Sequence, residues 1–88
     1  MTTLAQVTIN DETWTEISGD MVIDTVYNVS GQPGSSFLIC EKSTTPVSGD
    51  SVFFVNSTKL MPVTYEGVEI WAKATGAGNS LNVNIQEA

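Results

Sequence analysis

Trp14, Tyr27, Tyr65 and Trp71 are the side chains of this sequence best equipped to act at a surface. Each couples a flat apolar ring to a hydrogen-bonding atom, the combination that stacks on a sugar ring or anchors a protein interface. In Val68–Ala74 the residues Val68, Ile70, Ala72 and Ala74 alternate with Glu69, Trp71 and Lys73, so Trp71 falls on the polar side of its strand and is the first candidate for an interface or ligand contact. Trp14, in a Thr-rich stretch, is expected near an edge or end of the fold. Tyr65 is the third candidate contact.

Bond-making chemistry has little to work with. The sequence holds no histidine, its only basic residues are three lysines, and Cys40 is its one cysteine. Ser-His-Asp and Cys-His arrangements are therefore excluded, and zinc and copper lose their commonest ligand. Cys40 sits in the apolar run Phe37-Leu38-Ile39-Cys40, where a cysteine packs as a small hydrophobe rather than serving as a nucleophile. Ten acidic residues in so short a chain make close pairs by chance, and none stands in a glycosidase motif. The glycine-bearing stretches Gly31–Ser36 and Gly76–Gly78 lack the lysine and the strand-to-helix setting of a phosphate loop and read as turns. Asn10-Asp11-Glu12 and Ser48-Gly49-Asp50 offer oxygens to Ca²⁺ but not the spaced ligand series of a calcium loop. The expectation is no catalytic residue, no cofactor and no metal.

Charge narrows the partners. A net charge of -7 repels the phosphate backbone of nucleic acid and the anionic face of a membrane alike. No apolar run approaches the ~18 residues of a membrane helix, and the first residues lack the basic start and apolar stretch of a secretory signal. The chain is expected to be made in a cytoplasm and to stay soluble.

The elements that must position these residues are strands. Leu81, Val83 and Ile85 alternate with Asn82, Asn84 and Gln86; Gln6–Ile9 and Thr13–Ile17 carry shorter versions of the same period. Met21–Val29 reads as one long strand, Phe37–Glu41 and Val52–Asn56 as central strands covered on both faces, and Val68–Ala74 with Leu81–Gln86 as a hairpin closed by Gly76–Asn79. Met61-Pro62 and Glu66-Gly67 read as breakers. The predicted fold is all-β: residues 1–88 form a single antiparallel β-sandwich or small barrel of about six to eight strands, Ig-like or jelly-roll-like, without significant helix, and residues 1–6 form an extended N-terminal arm.

The order of features is familiar: Val7-Thr8-Ile9-Asn10-Asp11-Glu12-Thr13-Trp14 at the opening, a strand ending in Tyr27-Asn28-Val29, an apolar strand before a Ser/Thr/Pro turn, then Ile70-Trp71-Ala72-Lys73-Ala74 and Leu81-Asn82-Val83-Asn84-Ile85. Over most of its length the chain resembles the small β-sandwich structural proteins of tailed bacteriophages, head decoration (cement) proteins and fibre or tail accessory modules. The resemblance implies a non-enzymatic protein on the outer surface of the virion. It implies a homo-oligomer, commonly a trimer, bound to the major capsid protein or another virion protein. It carries over no functional residue. The alternative is a carbohydrate- or host-surface-binding module, in which Trp71 and a tyrosine form a stacking platform for a glycan.

Overall fold

The period-two pattern resolves into eight strands: β1 (Val7–Asn10), β2 (Thr15–Glu16), β3 (Thr25–Ser30), β4 (Ser36–Glu41), β5 (Phe53–Asn56), β6 (Met61–Tyr65), β7 (Ile70–Ala74) and β8 (Ser80–Glu87). The computed structural model describes residues 3–32, 36–56, 60–75 and 80–88, and no helix occurs among them.

The pairings nest. β1 pairs with β8, β2 with β7, β3 with β6 and β4 with β5, all antiparallel. The chain is thus one long ribbon doubled back at the β4–β5 connection. The ribbon is rolled so that β3 also meets β8 and β4 also meets β7. Two four-stranded sheets result, ordered β1-β8-β3-β6 and β2-β7-β4-β5. This is the connectivity of a jelly roll, which settles the choice between the two sandwich types.

Alternation along the strands fills the space between the sheets. Ile9, Tyr27, Val29, Leu81, Val83 and Ile85 come from the first sheet, and Phe37, Ile39, Val55, Ile70, Ala72 and Ala74 from the second, all in one buried cluster. Each Val, Leu, Ile or Phe among these contributes roughly 1.5–3 kcal/mol by leaving water. At the N-terminal end, Thr3 bridges to Gln86 and the Leu4 N–H donates to the Ile85 carbonyl at 2.9 Å, so these residues of the arm lie along β8.

Four expectations are corrected. β7 and β8 do not form a hairpin: they lie in different sheets, and their apolar faces belong to the same core from opposite sides. A short glycine-rich connection signals a reversal but not whether the chain returns beside itself or crosses the core; residues 76–79 themselves lie outside the described residues. The long strand from Met21 is broken at Asp24, whose φ of 62° is left-handed, a conformation Asp tolerates better than most residues. Only Thr25 onward is β3, while Val22 and Ile23 are exposed. Met61-Pro62 does not break the fold but opens β6, because β6 is an edge strand and a proline there forfeits no ladder bond. β5 is not central: it is the other sheet's edge, with Phe53 and Phe54 exposed.

A candidate binding face on the second sheet

Residues paired directly across an antiparallel ladder point to the same side of the sheet, so the register assigns the outward face. One row across it is Glu16 on β2, Trp71 on β7 and Cys40 on β4. The next row is Lys73 on β7, Leu38 on β4 and Phe54 on β5. Trp14, just before β2, flanks this second row: the Lys73 ammonium stands 6.0 Å from the centroid of its ring, a cation–π contact.

The β4–β5 connection folds back onto this face and is clipped by Asp50. Its Oδ2 accepts the Val47 N–H at 2.7 Å and the Lys42 ammonium at 2.9 Å, and the Asp50 N–H returns a bond to the Val47 carbonyl at 3.2 Å. The Val47 N–H and then the lysine hold the Asp50 carboxyl below the usual carboxylate range. Between this loop and the sheet runs a groove of about 380 Å³, lined among others by Trp14, Leu38, Val47, Val52, Lys73 and Thr75.

Trp71 stands in the neighbouring row of the same face. Its indole N–H donates to the Lys42 carbonyl at 2.9 Å, so the ring reaches across the end of β4, where Cys40 is its direct neighbour. That explains how a cysteine on the outward side is only 2% exposed. Burial, with the Asp50 carboxylate adding to it, pushes the Cys40 thiol above its ordinary range. An Ellman-type reagent is accordingly expected to titrate Cys40 at neutral pH only after denaturation. Rapid reaction of the native chain would mean that the Trp71 cover stands open.

Of the aromatic candidates, Trp14 and Trp71 come together on this face. Tyr65 lies on β6 of the opposite sheet, half-buried against the core. Tyr27 is buried, its hydroxyl accepting the Val22 N–H at 2.7 Å. Sequence reading passed over Leu38, Val47, Val52 and Phe54 as members of this surface, although the charge-free run Ser51–Thr58 was a signal for the last two. Of the oxygens considered for Ca²⁺, Asn10 Oδ1 accepts the Glu12 and Thr13 N–H groups at 2.9 Å each, and Asp50 Oδ2 holds its loop.

The outward face of the first sheet is of another kind. Gln6 donates to Asn84 Oδ1 at 2.6 Å and Thr8 to Asn82 Oδ1 at 2.7 Å, and the outward strand positions Asn28, Ser30, Pro62, Thr64 and Gln86 continue a surface without charge. The chain therefore presents one uncharged face, polar apart from Val26 and Pro62, and one aromatic, aliphatic face. Compared with known proteins, it matches no family model, no curated protein and no solved structure.

Proposed function

We propose that the protein is a non-enzymatic structural component of a virion, of the capsid-decoration type, which self-associates and binds the lattice of the major capsid protein. The observation that carries this reading is the outward face of the second sheet. Single exposed apolar residues are ordinary, but Val47, Val52 and Phe54 are exposed around half-buried Leu38, Trp14 and Trp71 on one surface. Contiguous patches of this kind mark interaction surfaces, and tryptophan is the side chain most enriched where binding energy concentrates. The resemblance to phage decoration proteins supplies the kind of partner, and the acidic remainder of the surface keeps many copies soluble until they are seated.

The test is cosedimentation of the purified chain with assembled shells of the major capsid protein encoded in the same genome. Saturable binding is expected, weakened about 30-fold or more by Trp14→Ala, as for a ~2 kcal/mol hot spot. Absence of cosedimentation at tens of micromolar chain would sink the lattice reading. The groove supports a second reading, because the Trp14 ring lines it together with the hydroxyl-bearing Ser48, an aromatic surface beside a polar group of the kind a sugar site uses. Glycan-array binding that disappears in Trp14→Ala would move the function to carbohydrate recognition.

A further inference from the structure

The edge of the second sheet is more specific than a sticky patch. In an antiparallel ladder the N–H and C=O of a residue point to the same neighbouring strand, and successive residues alternate between neighbours. On β4 the Ser36 carbonyl accepts the Thr75 N–H at 3.2 Å, and just past the strand the Lys42 N–H donates to the Glu69 carbonyl at 3.0 Å. Even-numbered residues of this stretch therefore bond toward β7, and Phe37 and Ile39 bond toward β5. Their partners there are Val55 and Phe53. The backbone groups of Phe54, and of Val52 and Asn56 on either side, are left pointing away from the sheet.

We infer that β5 joins two copies of this chain, edge to edge and antiparallel, about a two-fold axis at Phe54. This rests on the self-association part of the proposed function and names its surface. An unpaired strand edge is a template for another strand, and proteins usually blunt it with proline, charge or shortness. Here β6 carries Pro62, β2 has two residues and ends on Glu16, and β1 turns Thr8 and Asn10 outward. β5 is as short as β1 and shares its lack of proline and charge, but it is the edge strand that turns large apolar side chains to solvent: Phe53 and Phe54 are 51% and 62% exposed.

The occupant follows from symmetry and charge. With the axis at Phe54, each Phe54 exchanges both backbone bonds with its copy and the two rings meet as a cross-strand aromatic pair. Val52 then bonds opposite the copy's Asn56, and Phe53 faces the copy's Val55 on the inner side. Two chains each carrying -7 approach with least repulsion where charge is absent, and no charged residue occurs in Ser51–Thr58. The product is a two-fold pair rather than the trimer that the resemblance implies.

Sedimentation velocity of the full chain over a concentration series is the test, with two variants. A dimer is expected for the wild type, with its dissociation constant raised roughly 30-fold or more in Phe54→Lys, where two ammonium groups face each other across the axis. The variant's melting temperature at low concentration should stay near that of the wild type. Phe54→Cys should form a disulfide-linked dimer on mild oxidation, because a hydrogen-bonded cross-strand pair holds its Cα atoms about 5.5 Å apart. A dimer or trimer that persists in Phe54→Lys and leaves Phe54→Cys uncrosslinked overturns this edge while leaving self-association standing. A wild-type chain monomeric at ~100 μM overturns the edge and self-association together, and cosedimentation then decides lattice binding by itself.

Discussion

Phe37→Ala should leave almost no cooperatively folded protein at 37 °C. Phe37 lies on β4 between β5 and β7, points into the core and is 0% exposed. Truncating a fully buried phenylalanine removes its transfer energy and leaves a void, together about 3–5 kcal/mol. A domain of 88 residues has roughly 4–13 kcal/mol of stability to lose, and small domains fall toward the low end. Tryptophan fluorescence in urea should show the midpoint falling by a few molar at a slope near ~1 kcal/mol/M. The control is Phe54→Ala at a concentration where the chain is monomeric: the same truncation on the exposed edge strand should cost under about 1 kcal/mol. Equal losses at the two positions would contradict the assignment of inner and outer faces.

That contrast shows what the sequence could and could not reveal. β1, β4 and β8 were legible because their alternation or continuous apolarity matches how they are covered: the register faces Val7 and Ile9 with Val83 and Leu81, and Phe37 and Ile39 sit under both neighbours. Val52–Asn56 carries the same kind of apolar run, yet it lies at an edge, since hydrophobicity records only that a surface needs covering and not which chain covers it. The Met61–Tyr65 strand was hidden by Pro62, whose penalty depends on having a neighbour on the N–H side. Pairing partners were the least legible feature. In a jelly roll they join the first strand to the last, and local turn chemistry favours the wrong answer for β7 and β8. At the candidate site, the spacing around Trp71 located the outward face. The sequence did not show that a loop hung on Asp50 folds back to make a groove there, because the clip depends on Lys42, eight residues away.

Ser18→Ala should cost about 1–3 kcal/mol, the largest effect expected from any single polar atom described in this protein. Ser18 is 2% exposed. β2 contributes only two ladder residues, and past its end the Ile17 N–H still donates to the Ile70 carbonyl at 2.8 Å. The Ile70 N–H finds no carbonyl in return; it donates to the Ser18 hydroxyl at 3.0 Å, and that hydroxyl donates in turn to Glu16 Oε2 at 2.8 Å. A side chain thus replaces the backbone acceptor that a longer β2 would have supplied. Alanine leaves the Ile70 N–H buried without a partner, which is worse than losing a bond whose two ends return to water. The Ile70 amide should therefore exchange with solvent deuterium markedly faster in Ser18→Ala, and Ser18→Thr should restore part of the protection by keeping the hydroxyl. Unchanged Ile70 protection with a stability loss under ~0.5 kcal/mol would show that the hydroxyl is not the acceptor holding this edge. If it is, weakening it frees β2 and with it the Trp14 wall of the groove, so the same variant should bind capsid shells less well while leaving β5-mediated pairing intact.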